Sequence, residues 1–233
     1  MMKKFLLPFL ALLAIIGFLF LLPPFFPMSE VTPPANHGLP WEIEQDETGQ
    51  THVFGLSPGV STLDEAVARF GNDMEIAIIV TANIPKGEEA KDAALEVYYS
   101  QVVFGFVRAR LILTVDAPFS MIASMVERSI KKDYTRNGGR KFTLHPDDVL
   151  HARTLTVVAI TLIPNADLDA ETIVSRFGPP DTIIRVGKTL QHYLYPDKGL
   201  DVVLDSKGKE VLQYVAPADF ERRIMSPLKP PEK

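Results

Sequence analysis

The tripeptide Arg-Phe-Gly occurs twice in this chain, at positions 69–71 and, 107 residues later, at 176–178. At the same shift, the apolar residues before each copy fall in register with the i, i+3, i+4, i+7 spacing of a short amphipathic helix. Thr62 and Asp169 occupy equivalent positions ahead of these stretches, and both residue types are good helix N-caps. The glycine of each copy ends the helix, because glycine accepts the left-handed conformation after a helix C-terminus. The matched pairs are Leu63 with Ala170, Ala66 with Ile173, Val67 with Val174 and Phe70 with Phe177.

Short β-rich runs follow both predicted helices. After Gly178 there are four such runs, separated by brief connections that contain glycine, which is typical of an antiparallel meander. A looser version follows Gly71, with a polar insertion at 85–92. We therefore predict an α+β fold of two tandem helix-plus-antiparallel-sheet modules behind an N-terminal transmembrane helix. The repeated structural residues are Phe70, Gly71, Phe177, Gly178 and Pro179.

The repeat also suggests how the whole chain is divided. Between the two copies, apolar residues at helical spacing predict an additional helix from about Ile122 to Tyr134. The predicted segments are a signal anchor at 1–28, a Pro-rich tether at 29–50, module 1 at 51–116, a connecting helix at 117–140, module 2 at 141–220 and a flexible tail at 221–233.

The N-terminus has the features of a membrane anchor. Lys3 and Lys4 precede an uncharged run from Phe5 to Leu22, which is close to the shortest run that crosses a bilayer core of about 30 Å. Phe25 and Phe26 lengthen the segment that contacts the membrane to 5–26. Since positive charges stay in the cytoplasm, we predict a single pass through a bacterial inner membrane, with the N-terminus cytoplasmic and the bulk of the chain periplasmic. The alternative is a cleaved signal peptide and secretion to the periplasm.

Composition excludes several kinds of function. The chain contains no cysteine, which excludes disulfides, a thiol nucleophile and a lipid-modified N-terminal cysteine. A net charge of −5 repels phosphate backbones, so no nucleic-acid partner is expected. Gly-Lys-Thr at 187–189 lacks the glycine that a phosphate-binding loop needs five residues earlier, and no cofactor is expected.

Motifs in the second copy resemble those of a known family. They are Phe177-Gly178-Pro179-Pro180, the aromatic run at 192–195, the apolar strand at 200–204 and the glycine hairpin at 205–209. Together they resemble the small α/β modules of the BamE (SmpA/OmlA) type, also called β-lactamase-inhibitor-protein-like. The resemblance covers about 60 residues in copy two and is weaker in copy one, where Asn72 replaces the expected proline. It implies a non-catalytic binding module of the cell envelope, without the lipoprotein role, since no cysteine is present.

One cluster of polar residues is a candidate metal site. His145, Asp147, Asp148 and His151 bring two imidazoles and two carboxylates within seven residues. If a helical turn begins at Pro146, Asp147 and His151 lie on one face and are able to hold a divalent metal. The alternative is a helix N-terminus with proline in its first position and aspartates that stabilise the helix dipole.

Aromatic residues on two predicted strands are candidate binding residues. In the second copy, strand alternation places His192 and Leu194 on one face of the sheet and Tyr193 and Tyr195 on the other. Such a face is able to bind a peptide or a glycan, although half-buried strands use the same residues for packing. The candidates are His192, Tyr193, Tyr195, Tyr98 and Tyr99.

These observations favour a non-enzymatic, membrane-anchored periplasmic binding or scaffold protein. We expect it to contact another envelope protein through its sheets, at a free strand edge. One alternative is an envelope metal-dependent hydrolase centred on the His145–His151 cluster. Another, suggested by the tandem modules of the inhibitor-type proteins, is an inhibitor of an envelope enzyme.

Overall fold

The structure is a computed structural model that describes residues 38–81, 93–135 and 138–229. The predicted signal anchor at 1–28 and the polar insertion at 85–92 lie outside the described residues. Within those residues, no helix has the length and apolar character needed to span a bilayer.

Most of the strands belong to a single antiparallel sheet. Ten strands form it in the order β6-β7-β3-β4-β5-β8-β12-β11-β10-β9, and β1 pairs with β2 in a small separate hairpin. The strands are β1 (Glu44–Gln45), β2 (Thr51–His52), β3 (Glu75–Val80), β4 (Ala93–Phe104), β5 (Val107–Val115), β6 (Lys131–Tyr134), β7 (Arg140–Thr143), β8 (Val157–Pro164), β9 (Thr182–Val186), β10 (Leu190–Tyr195), β11 (Leu200–Asp205) and β12 (Val211–Val215).

Short helices connect the strands. The α-helices are α1 (Leu63–Phe70), α2 (Phe119–Glu127), α3 (Pro146–Ala152), α4 (Ala170–Phe177) and α5 (Ser226–Leu228). Two 3₁₀ turns lie at Pro196–Lys198 and Pro217–Asp219, and a π-helical turn at Glu221–Met225 leads into α5. The predicted α+β class is confirmed, with a mostly antiparallel sheet.

The two repeated helices begin and end where the sequence predicts. The Thr62 hydroxyl accepts a hydrogen bond from the Glu65 backbone N–H at 3.3 Å, and the Glu65 carboxylate accepts one from the Thr62 backbone N–H at 2.9 Å. In α4, Asp169 accepts a hydrogen bond from the Thr172 N–H at 2.7 Å. The two terminal glycines have φ near +88° and +85° with extended ψ, a region that only glycine occupies readily.

The strand order mirrors itself about the β8–β12 pair. On one side lie β5, β4 and β3, which follow α1, and on the other lie β11, β10 and β9, which follow α4. At the centre, Ile160 of β8 is opposite Tyr214 of β12. In the chain, β8 is separated from β5 by α2, β6, β7 and α3, whereas β11 and β12 are joined directly.

The hydrophobic core lies on the face of the sheet that carries α1 and α4. Alternate residues of the central strands point into it. Helix α1 adds Leu63, Ala66 and Val67, whereas α4 adds only Ile173 and Phe177, since Val174 of its predicted stripe is 41% exposed. Fully buried examples are Leu63, Ile78, Leu95, Leu111, Ile160 and Tyr214. On the opposite face, Phe220 and Ile224 of the C-terminal turns cover Leu194 and Val215.

The connecting helix predicted at 117–140 is only partly observed. Helix α2 ends at Glu127, and the segment that reaches Tyr134 is strand β6. The Ser129 hydroxyl donates to the carbonyl of Val126 at 2.7 Å, and the Ile130 N–H donates to the Thr143 carbonyl at 3.0 Å. The chain leaves the helix here because pairing with β7 satisfies its backbone groups.

Two predicted linkers also differ from the structure. In the tether predicted at 29–50, the described part from 38 onward packs on the domain, and the Tyr214 hydroxyl donates to the Pro40 carbonyl at 2.8 Å. The tail predicted at 221–233 is helical as far as Leu228. Ile224 is only 3% exposed, so burial of apolar residues orders this segment.

Candidate binding surfaces of the sheet

Tyr99 and Tyr195 hold the two repeated helices against the sheet. The Tyr99 hydroxyl donates to the carbonyl of Gly71 at 3.2 Å, and the Tyr195 hydroxyl donates to the carbonyl of Gly178 at 3.0 Å. Each ring packs against the phenylalanine that precedes its glycine, at centroid distances of 5.8 and 6.2 Å. Burial raises the pKa of both tyrosines to about 12, so both hydroxyls stay protonated donors. Both candidate binding residues are therefore buried and used in packing within the protein.

The remaining residues of the aromatic run on β10 are also largely inside the protein. Tyr193 belongs to the helix-side core and Leu194 to the opposite cluster, in the predicted alternation. His192 lies on the side of Leu194, where its Nδ1 is 2.8 Å from the Asp201 carboxylate. Burial raises the pKa of Asp201, and the hydrogen bond with His192 opposes that effect. The predicted aromatic binding face is therefore absent from β10.

Tyr98 points to the other face of the sheet, away from the helices. It lines a shallow concavity of about 250 Å³ together with Glu75, Glu96 and Lys141. The Lys141 ammonium lies 2.5 Å from the Glu75 carboxylate. Burial raises the pKa of Glu96. Of the five candidate aromatic and histidine residues, Tyr98 is the one on this partly open, polar surface.

The candidate metal cluster caps helix α3. The His145 Nδ1 accepts the Asp147 N–H at 3.3 Å, and Pro146 occupies the first helical position. The buried Asp148 carboxylate receives two hydrogen bonds from the Arg128 guanidinium, at 2.6 and 3.3 Å. His151 lies in the last turn. Across the three described ranges, no group of three or more histidine or acidic side chains is arranged to hold a metal ion.

One edge of the sheet, strand β6, carries features that discourage pairing with another chain. Its sequence is Lys-Lys-Asp-Tyr, and three of these four residues are charged. Lys131 and Asp133 form an ion pair at 2.8 Å on its surface. Charged side chains on a short edge strand are a common protection against edge-to-edge association.

The other edge, strand β9, lacks this protection. Its sequence is Thr-Ile-Ile-Arg-Val, and Arg185 is its only charged residue. Ile183 is 48% exposed and Val186 is 37% exposed. Along the part of the chain that is described, β10 is the only strand that pairs with β9, so its outer backbone groups face no described strand.

The location of this edge was missed by the sequence reasoning, which expected a free strand edge without naming the strand. Adjacent apolar residues such as Ile183 and Ile184 are typical of a strand covered on both faces, so the local sequence does not mark β9 as an edge. No protein-family model matches this chain, and no curated protein or solved structure is significantly similar to it.

Proposed function

We propose that this chain is a non-enzymatic, membrane-anchored binding or scaffold protein of the bacterial cell envelope, and that it binds another envelope protein by strand addition to β9. The observation that carries the proposal is the contrast between the two sheet edges. The outer edge of β9 offers backbone donors and acceptors beside the exposed Ile183 and Val186, whereas β6 is charged.

Strand addition explains why the exposed residues are apolar. A partner strand gains affinity from main-chain hydrogen bonds to β9 and specificity from side-chain contacts on both faces of the sheet. Ile183 lies on the helix-bearing face of the sheet, and Val186, three positions later, lies on the opposite face, because successive side chains of a strand point to opposite faces. Both therefore lie beside the side chains of an added strand.

We further infer that the sheet consists of two tandem modules that meet at the β8–β12 pair. Four observations support this inference: equal helix lengths, the same φ at both terminal glycines, the matching tyrosine hydrogen bonds and the mirrored strand order. In this arrangement β8, which the sequence placed in module 2 at 141–220, is instead the last strand of module 1, and α2 through α3 are an insertion before it. The resemblance to BamE-type and inhibitor-type modules fits a role in protein binding.

The proposed location in the inner membrane rests on the N-terminal sequence. Lys3 and Lys4 before the uncharged run from Phe5 to Leu22 favour an uncleaved anchor in the inner membrane. The folded part then lies in the periplasm. Mass measurement of the intact protein from membrane fractions tests this assignment, because cleavage removes the residues at the start of the chain and releases the protein from the membrane.

Site-specific photocrosslinking in intact cells tests the binding edge. A photoreactive amino acid at Val186 is expected to give a discrete adduct, while the same amino acid at Tyr134 on β6 gives none. A second substitution, Ile183→Lys, is expected to reduce the Val186 adduct at least about tenfold, because it places an unpaired charge in the contact. Ile130→Lys is the matched control, since Ile130 is 61% exposed but lies next to the other edge.

Two outcomes of the crosslinking experiment contradict the proposal. Equal adducts at both edges, or an adduct at Val186 that survives Ile183→Lys, contradicts binding through β9. Circular dichroism of both lysine variants excludes loss of folding as the cause of a lost adduct.

A further inference from the structure

An apolar cavity of about 200 Å³ lies beside Trp41, between helix α4 and the tip of the β4–β5 hairpin. It is distinct from the β9 edge. An engineered apolar cavity of about 150 Å³ is large enough to hold benzene, so this volume accommodates a small organic molecule. Its apolar lining includes Trp41, Phe106, Leu162, Leu168, Phe177 and Leu212.

Three aromatic rings form one wall of the cavity. The Trp41 ring lies 5.9 Å from the ring of Phe106 and 6.5 Å, edge to face, from that of Phe177. Phe106 at the hairpin tip is 72% exposed, although it is a large apolar residue. An exposed phenylalanine at the mouth of an apolar cavity gives an apolar ligand a surface to contact on entry.

An arginine, Arg176, lies at this mouth. The Arg176 guanidinium carbon is 4.6 Å from the centre of the Trp41 ring, and the side chain is exposed. None of the described carboxylates forms an ion pair with Arg176. Asp167 also lines the cavity, but its carboxylate lies 2.5 Å from the Lys209 ammonium. Arg176 therefore has donors available for an anion.

The equivalent arginine of the first repeat lies in a filled site. Gly55 packs so closely on Arg69 that a Cβ at position 55 would overlap the guanidinium group. The adjacent Phe54 and Leu56 are each only 2% exposed. The Arg69 guanidinium is thus packed against Gly55, whereas that of Arg176 lies over Trp41 beside an open space.

We propose that this cavity binds a small apolar carboxylate, such as a medium-chain fatty acid, with its hydrocarbon part against Trp41 and its carboxylate on Arg176. The guanidinium matches a carboxylate with two parallel hydrogen bonds, and stacking on Trp41 holds its plane in place. The apolar lining supplies the affinity for the chain, and Arg176 supplies the preference for an acid.

Fluorescence of the full-length protein tests this site, because Trp41 is the only tryptophan of the chain. Titration with octanoate, kept below its micelle-forming concentration, is expected to give a saturable change in emission. Octanol has the same chain length without the charge and is expected to bind about tenfold more weakly, the loss of a charge-assisted hydrogen bond of about 1.4 kcal/mol.

Three variants separate the contributions. Arg176→Gln is expected to weaken octanoate binding about tenfold and to leave octanol binding unchanged. Arg185→Gln is the matched control, because Arg185 is exposed on β9 and does not line the cavity. Ala166→Phe fills the cavity and is expected to abolish binding of both molecules while far-UV circular dichroism stays unchanged.

Several results overturn the proposal. No saturable response to octanoate rejects the site, and an unchanged response in Ala166→Phe shows that octanoate binds elsewhere. Equal affinity for octanoate and octanol, or equal loss in Arg176→Gln and Arg185→Gln, rejects recognition of the carboxylate. All of these readouts are taken on the protein alone, without a partner strand on β9, so they stand or fall separately from the proposed function.

Discussion

Asp169 closes the N-terminus of α4 with a charge, whereas Thr62 closes α1 with a neutral hydroxyl. Hydrogen bonds from Thr172 hold the pKa of Asp169 below its usual value of 3.8. A carboxyl group whose pKa is lower in the folded state stabilises the fold above its unfolded pKa. That contribution is lost as the pH falls through the folded pKa.

Asp169→Asn is therefore expected to reduce stability at neutral pH, because asparagine keeps the cap but loses the charge at the helix N-terminus. The difference from the unsubstituted protein is expected to shrink as the pH falls below 3.8 and to disappear as it falls through the lower pKa of the folded state. Urea unfolding across this pH range measures it. Thr62→Ala is the control, since its cost of about 1 kcal/mol comes from a hydroxyl that does not titrate. A difference for Asp169→Asn that persists at low pH contradicts the explanation.

At the scale of elements, α3 is joined to the end of α2 by the pair of Arg128 and Asp148. The Asp148 side chain is 7% exposed, whereas that of Arg128 is 55% exposed. Loss of the ion pair therefore costs the buried Asp148 carboxylate more than it costs the exposed Arg128 guanidinium. Water replaces the lost contacts of Arg128, but it does not reach a buried Asp148 carboxylate.

This difference predicts an order of effects. Arg128→Met is expected to destabilise the protein more than Asp148→Asn, because only the first leaves a buried charge without its partner. The free energies of unfolding in urea at pH 7 measure both. Lys207→Met, in the exposed turn between β11 and β12, serves as a control for the loss of a positive charge. The reverse order contradicts an anchoring role for Asp148.

Elements controlled by local signals were predictable from the sequence. Helices α1 and α4 match because caps, apolar stripe and terminal glycine lie within ten residues of one another. The end of α2 was not predictable from the sequence. Ile130 continues the helical spacing, but its backbone N–H binds the carbonyl of the distant Thr143, and the chain enters β6. The position of β9 at an edge and the cavity beside Trp41 depend on strand order, which no local pattern encodes.

At the scale of the whole molecule, the sheet is covered on both faces near its centre. The helix-side core contacts one face, and Phe220 and Ile224 contact the other. The C-terminal turns as far as Leu228 are thus part of the folded structure, in contrast to the flexible tail predicted at 221–233.

Ile224→Ala tests this role. Removal of a buried isoleucine side chain is expected to cost about 2–4 kcal/mol, through lost burial and a residual cavity. Ile130→Ala, at a position 61% exposed, is expected to change stability by less than about 0.5 kcal/mol. Both values come from urea unfolding monitored by circular dichroism. Equal effects of the two substitutions contradict the packing of the C-terminal segment on the sheet.

The insertion between β5 and β8 has a consequence for how the chain acquires its structure during synthesis. The outer edge of β5 has no partner strand until residues 157–164 become available, and the other edge of β8 has none until β12 follows at 211–215. Contacts between residues so distant in sequence form slowly, and a strand edge that is still unpaired favours misassembly. A chain that ends before residue 157 therefore leaves the outer edge of β5 without its partner strand.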